Sequence, residues 1–321
     1  IGIIKDIILN HIGSEHWWMM DLPSNNWINN EGKFLQTSHN HEAVHDPHLT
    51  QSGRDSFTDG WFVRTMPDLN QTNPYLAMYL IQNSIWWIEY ASLSGFRVDT
   101  YPYVEKMFLS DWSKRITKEY PNFSFVGEEW SSSPAMIAYW QVGSHRYDNY
   151  KSYIPNMMDF PLQEALVNSL LSKETWETGI KDLFKVLAND YLYGNPYNLV
   201  VFAGNHDMTR IFSQLNEDMD LYKMAMTYIY TTRGIPQVYY GTEILMEGPA
   251  DHGTLRADFP GGWNNDKANA FKGSGLKNEQ KDAQSFTKKL LNWRKESLPV
   301  TQGKFIHFYP SGGVYVYFRK Y

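Results

Sequence analysis

The chain has 321 residues, of which 42% are hydrophobic, enough for one large domain or for one domain and part of another. Its net charge of −6, without a run of basic residues, argues against nucleic acid or an anionic membrane as a partner. No apolar run approaches the roughly 18 residues of a membrane-spanning helix, and the absence of cysteine excludes disulfides and thiol chemistry. Localisation stays open, because a chain without cysteine suits the cytoplasm and the periplasm equally.

Short apolar strands alternate with helices along most of the sequence. The predicted strands are 1–9, 95–99, 123–127, 154–160, 198–202 and 236–240. The predicted helices are 74–92, 104–120, 134–142, 161–189, 217–232 and 281–296. This alternation is typical of a parallel sheet, so we expect an α/β fold, a (β/α)8 barrel. A closed barrel needs eight strands, and we expect the first two to precede Ile1 in a longer protein.

Two stretches depart from this alternation. Residues 12–73 show no sustained period and are rich in Asn, Asp, His and Trp, which predicts a functional segment or a small subdomain. Residues 304–308 and 314–318 flank a turn and predict a β-hairpin. We therefore expect a barrel formed by 1–11 and 74–300, an inserted domain at 12–73, and the start of a C-terminal β domain at 301–321.

A group of histidines lies in the irregular segment. It comprises His39, His41, His45, Asp46 and His48. A metal site is one interpretation, but the spacing matches no standard ligand pattern. A polar loop is the favoured interpretation.

Polar residues follow four of the predicted strands. They are His11, Asp99, Glu128, and His206 with Asp207. In a parallel barrel the active site lies at the carboxyl ends of the strands. Residues two apart on a strand share a face, so Arg97 and Asp99 point the same way, and a buried charge is costly unless paired. These strand ends are the candidate site.

Three carboxylates at strand ends suit glycoside hydrolysis, in which one attacks the sugar and another protonates the leaving oxygen. Arg97 would keep Asp99 ionised, and the apolar neighbours of Glu128 favour a raised pKa and an acid role. A divalent metal site of a barrel lyase is an alternative, although no lysine base stands at a strand end. A glycan-binding protein without catalysis is another, but binding alone does not need three carboxylates.

Five stretches resemble the conserved regions of the α-amylase family, glycoside hydrolase family 13, in their order and approximate spacing. They are DIILNH (6–11), MPDLN (66–70), GFRVD (95–99), VGEEW (126–130) and FAGNHD (202–207). The resemblance covers about residues 1–300, and it implies that 301–321 begin the family's C-terminal β-sandwich. The stretches 95–104, 239–243 and 258–263 look most like bacterial cyclomaltodextrinases and neopullulanases.

Carried over residue by residue, the resemblance implies the catalytic roles. Asp99 is the nucleophile, Glu128 the general acid and then base, and Asp207 the group that stabilises the transition state. Arg97 orients Asp99. Other candidates for substrate binding are His11, His206, Arg210, Tyr101 and Trp130. Asp6 and Asn10 are implied as structural residues near the site, and we expect Glu129 to face away from it.

The resemblance also implies the substrate class. We expect hydrolysis of α-1,4 bonds in cyclodextrins and maltooligosaccharides, with pullulan or starch as the alternative. Two departures bear on this choice: YPY (101–103) replaces a Lys-His pair of many members, and Asp68 stands where cyclodextrin-cleaving members often have lysine. No cofactor is expected, calcium is left open without assigned residues, and homo-oligomerisation is left open.

Overall fold

The computed structural model describes residues 1–249 and 251–321. They form two compact units: Ile1–Met158 with Tyr191–Leu199, and Asp159–Asp190 with Val200–Tyr321. The division into a barrel, an inserted domain and a C-terminal domain stays a prediction. No helix in the described part of the chain is both long and apolar enough to cross a membrane.

The first unit contains a parallel sheet. Its strands, in spatial order, are β1 (Ile4–Ile8), β2 (Gly95–Asp99), β3 (Ser124–Gly127) and β4 (Asn156–Met157). Ile8 lies opposite Asp99, and Val98 lies opposite Gly127. The carboxyl ends of the first three strands therefore meet at one edge of the sheet.

Helices of the first unit connect and cover these strands. They are α1 (Gln51–Thr58), α2 (Pro74–Ala91), α3 (Lys106–Glu119) and α4 (Pro134–Trp140). The start of α2 follows the sequence prediction, because Asn73 accepts hydrogen bonds from the N–H groups of Tyr75 and Leu76 while Pro74 takes the first position. The apolar face of α2 is buried, at Leu76 and Leu80 among other positions.

The irregular segment 12–73 packs into the same hydrophobic core as the sheet of the first unit and is attached to the end of β1. Trp18, Trp27 and Trp61 are buried within it. Leu69 donates its N–H to the carbonyl of Asn10 at 2.8 Å, and the Gln71 side chain donates to the carbonyl of Leu9 at 2.8 Å. These contacts hold the C-terminal end of the segment against the strand that precedes it.

The described residues of the second unit form two small sheets. β5 (Val200–Phe202) and β6 (Ile235–Gln237) are parallel, and β7 (Lys304–His307) and β8 (Tyr317–Lys320) form the predicted antiparallel hairpin. Its helices are α5 (Phe160–Leu171), α6 (Lys181–Leu187), α7 (Ile211–Gln214), α8 (Met219–Thr231), α9 (His252–Leu255), α10 (Asn278–Glu296) and α11 (Leu298–Gln302).

Two sequence predictions for residues 154–189 are wrong in detail. The predicted helix 161–189 is two helices, α5 and α6, because Gly179 has a φ of 83° and the Thr175 hydroxyl accepts from the N–H groups of Glu177 and Thr178. The predicted strand 154–160 is reduced to β4, because Asp159 caps α5 by accepting from the N–H of Leu162. The α/β class with parallel strands is confirmed.

Candidate active site

The Arg97 guanidinium connects three carboxylates at the edge of the first unit's sheet. Its Nη1 donates to Asp99 Oδ1 at 2.6 Å and to both Asp6 oxygens at 3.0 and 3.2 Å, and its Nη2 donates to Glu128 Oε1. Burial lowers the pKa of Arg97, but the charges of Glu128, Asp6 and Asp99 outweigh burial and raise it, so Arg97 stays protonated.

Strand register explains why these side chains meet. Asp6 on β1 is the direct partner of Arg97 on β2, and Asp99 lies two residues further along the same strand. Glu128 follows the last residue of β3, which pairs with β2. The predicted shared direction of Arg97 and Asp99 is confirmed by their hydrogen bond.

Glu128 is held by backbone as well as by Arg97. Its Oε2 accepts from the N–H of Thr100 at 3.0 Å, and its own N–H donates to the carbonyl of Val98 at 3.1 Å. Thr100 has a φ of 45°, in the left-handed region, which turns the chain after β2 and brings its N–H to this carboxylate. The Glu128 side chain is 7% exposed, whereas the Asp99 side chain is 21% exposed.

The neighbouring Glu129 has different partners from Glu128. Its Oε1 lies 2.5 Å from His41 Nδ1, and its Oε2 accepts from Trp140 Nε1 at 2.9 Å. His41 Nε2 lies 3.1 Å from the Tyr103 hydroxyl. Glu129 is fully buried and links the irregular segment to the end of β3. The sequence did not predict this role of Glu129. The histidine-rich stretch around His41 was the feature that could have indicated a buried acidic partner.

The histidine group does not gather around one point. His39 and His41 both contact the Tyr103 hydroxyl, whereas the His45 ring packs on Tyr139. Within the described ranges, no group of three or more His, Asp or Glu side chains is placed to hold a metal ion.

Two buried oxygens near the end of β1 fit part of a calcium shell. Asn10 Oδ1 and Asp68 Oδ1 have no hydrogen-bond partner among the described residues. Burial raises the pKa of Asp68 well above its usual range, although a hydrogen bond from Asn29 opposes this. Calcium takes six to eight oxygens, so these two residues would need further oxygens to hold it.

The other first-unit candidates differ in exposure. His11 is 8% exposed, and burial lowers its pKa despite the opposing charge of Asp99, so its imidazole is neutral near pH 7. Trp130 is 45% exposed and can offer a ring face to a ligand. Tyr101 is fully buried, with its ring against Trp140, and offers no surface to which a sugar could bind in this conformation.

Asp207, in the second unit, is surrounded by cationic or titratable groups. His206 Nε2 lies 3.0 Å from Asp207 Oδ2, and Arg256 Nη2 donates to Asp207 Oδ1 at 2.6 Å. Arg210, one of the candidates for substrate binding, donates to the carbonyls of Tyr240 at 2.7 Å and Leu255 at 2.6 Å. Arg256 was missed because it lies in a stretch, 242–280, where the sequence shows no period.

Comparison with known proteins gives a consistent result. The alpha amylase catalytic domain matches residues 1–297. A cyclomaltodextrinase from Thermoanaerobacter pseudethanolicus is 25% identical over 325 residues, which cover 100% of this chain and 50% of that protein. Alpha-amylase 3 from Dictyoglomus thermophilum is 26% identical over 331 residues, which cover 95% of this chain and 62% of that protein.

Solved structures agree. An alpha-amylase from Geobacillus thermoleovorans, complexed with acarbose, has a TM-score of 0.78 and 29% identity, covering 100% of this chain and 63% of that one. An alpha-amylase from H. orenii has a TM-score of 0.72 at 20% identity and shares the fold. The chain spans about half to two-thirds of the length of these relatives. With the expected fold class confirmed and the domain matched over 297 residues, the chain belongs to the alpha-amylase family of glycoside hydrolases.

Proposed function

We propose that this chain hydrolyses α-1,4 bonds of glucans with retention, and that Asp99 and Glu128 carry the reaction. The observation that carries the proposal is the pair of contacts from Arg97 to both carboxylates. Two carboxylates bound to the two ends of one guanidinium lie close together. This favours the spacing of about 5–5.5 Å used by retaining enzymes over the spacing of about 6.5–9.5 Å used by inverting ones.

The proposed reaction has two steps. Asp99 attacks the anomeric carbon while Glu128 protonates the leaving oxygen, which breaks the glycosidic bond and forms a β-glycosyl enzyme. Glu128 then removes a proton from water, whose oxygen bonds to the anomeric carbon and releases Asp99. The Arg97 guanidinium supports the first step because its hydrogen bond holds the Asp99 carboxylate in position.

The remaining roles follow the family resemblance. Asp207 stabilises the transition state through sugar hydroxyls, and His11 and His206 are residues that bind sugar hydroxyls. Trp130 stacks on a sugar ring. Asp6 supports the position of Arg97, with which it shares two hydrogen bonds. Arg256 holds Asp207, while Arg210 orders the loop between Tyr240 and Leu255.

Cyclodextrins and short maltooligosaccharides are the proposed substrates. Support comes from the names of relatives, which include cyclomaltodextrinases and maltogenic amylases at about 25% identity. A starch- or pullulan-acting enzyme is the second candidate, favoured by the alpha-amylase that is 29% identical and aligned over 100% of this chain. Neither proposal requires a cofactor, a nucleic acid or a membrane.

Asp99→Asn tests the reaction. Its turnover is expected to fall by several orders of magnitude, because the amide is a poor nucleophile. Asp111→Asn, which changes an exposed aspartate of α3, is the matched control and should retain full activity. Near-normal turnover by Asp99→Asn would refute the assignment. Release of reducing sugar from β-cyclodextrin, pullulan and soluble starch tests the substrate, and a strong preference for starch would select the second candidate.

A further inference from the structure

A cavity lies in the first unit, and it shares no residue with the carboxylate site. Its volume is about 620 Å³, within the range of about 300–1,000 Å³ typical of small-molecule sites. It is lined by α4, by the loop at residues 143–147, by residues 191–193, and by His45 from the irregular segment. None of the roles proposed above uses these residues.

Tyrosine rings supply much of the lining. Tyr139 and Tyr193 are buried, whereas Tyr147 is 55% exposed and Tyr191 is 80% exposed. A tyrosine has a flat apolar body and a polar tip. Two such rings left in solvent beside a cavity suit a ligand with both C–H faces and hydroxyl groups, as in a sugar.

His45 adds a polar group to the cavity. Its Nε2 is buried and has no hydrogen-bond partner among residues 1–249 and 251–321. Burial, followed by the charge of Lys106, lowers the pKa of His45 to about 4, so the ring is neutral at pH 7. A neutral imidazole nitrogen donates or accepts one hydrogen bond, and a hydroxyl can take either role. A hydroxylated ligand would therefore satisfy a buried nitrogen.

The nearby charges are already engaged. Lys106 pairs with Asp148 at 2.9 Å, and Arg146 donates to the carbonyls of Tyr139 at 2.6 Å and Ser144 at 3.1 Å. The Arg146 guanidinium also lies over the rings of Tyr139 and Tyr150. This arrangement favours a neutral ligand over an anion.

We propose that this cavity is a second binding site for α-glucan, occupied by a short stretch of a longer chain. The rings of Tyr147 and Tyr191 stack on glucose units, and His45 bonds a hydroxyl. The choice of ligand rests on the proposed function, because the cavity chemistry selects a neutral, hydroxylated compound and the family supplies the substrate class.

Electrophoresis through native gels with and without soluble starch tests the site. The double variant Tyr147→Ala/Tyr191→Ala is expected to lose most of the retardation by starch, with a several-fold weaker apparent affinity. Its hydrolysis of maltotriose should be unchanged, because neither tyrosine belongs to the carboxylate site. Tyr75→Ala, which removes a 79%-exposed tyrosine from α2, is the matched control and should migrate like the natural chain.

Unchanged retardation of the double variant would overturn the proposal, as would an equal loss in Tyr75→Ala. His45→Leu gives a second measurement, since it should weaken starch retardation without loss of maltotriose hydrolysis. The two proposals fail separately. If starch retards the chain through Tyr147 and Tyr191 but the chain hydrolyses no glucan, the proposed function alone is refuted. If the chain hydrolyses glucans but its retardation by starch does not depend on these tyrosines, the second site alone is refuted.

Discussion

The buried pair of Glu129 and His41 gives the sharpest stability prediction. The Glu129 side chain is fully buried and that of His41 is 18% exposed, so water screens their contact weakly. Glu129→Ala leaves His41 Nδ1 and Trp140 Nε1 without their shared acceptor. Removing one partner of a buried pair costs about 3–5 kcal/mol, so the free energy of unfolding at pH 6 should fall by about that amount.

The same pair predicts a pH dependence. Burial lowers the pKa of His41, but the hydrogen bond and charge of Glu129 outweigh it, and the net pKa lies above the usual 6.5. A raised pKa in the folded state means that the stabilisation is fully present below pH 6.5 and is lost as pH rises through the folded-state value. Glu42 adds to this rise, and the Tyr103 hydroxyl contacts the other ring nitrogen.

Urea unfolding between pH 6 and pH 9 measures both effects. Glu129→Gln keeps an acceptor for Trp140 and a donor for neutral His41. Its free energy of unfolding should therefore lose the pH dependence and approach that of the natural chain at pH 9. His48→Gln, at an exposed histidine of the same segment, is the control. It should change neither the free energy of unfolding nor the dependence of that energy on pH. A cost below about 1 kcal/mol for Glu129→Ala, typical of exposed pairs, would refute the reasoning. So would a Glu129→Gln variant that keeps the natural pH slope.

Three further predictions concern other charged groups. Arg233→Leu leaves the buried carboxylate of Asp159 without the guanidinium that donates to it at 2.5 Å. The free energy of unfolding should therefore fall by about 3–5 kcal/mol, and a fall below about 1 kcal/mol in urea unfolding would contradict this. Arg256→Gln should lower kcat/KM on maltooligosaccharides by up to about tenfold through loss of a charged hydrogen bond to Asp207, and unchanged kinetics would exclude that role. Burial raises the pKa of Asp68, so ionisation of this carboxyl destabilises the folded natural chain as pH rises. In EDTA, the free energy of unfolding of Asp68→Asn relative to that of the natural chain should therefore rise from pH 4 to pH 8. A difference between the two that stays constant with pH would show that Asp68 ionises without cost.

The first unit's carboxylate site was largely predictable from sequence. Strand periodicity alone placed Arg97 and Asp99 on one face, and parallel pairing brought Asp6 and Glu128 to the same edge. These inferences rest on local rules, since side chains alternate along a strand and parallel strands end together. The roles of these residues stay predictions until activity is measured.

The contacts missed from sequence all involve irregular backbone. His41 reaches Glu129 across 88 positions, and Arg256 reaches Asp207 across 49. No period indicates which way a loop side chain points, so sequence could name the histidines but not their partners. The break between α5 and α6 was missed for a related reason, because it depends on the positive φ of Gly179 and on threonine hydroxyls that compete for backbone N–H groups.

The anomeric form of the first product tests the central claim most directly. Proton NMR can follow maltoheptaose hydrolysis before mutarotation mixes the anomers. Two displacements, first by Asp99 and then by water, predict that the α-anomer appears first and that Asp99→Asn produces neither anomer at a comparable rate. Initial release of the β-anomer would contradict the account, because a single displacement by water would then have occurred at the carboxylates that Arg97 holds together.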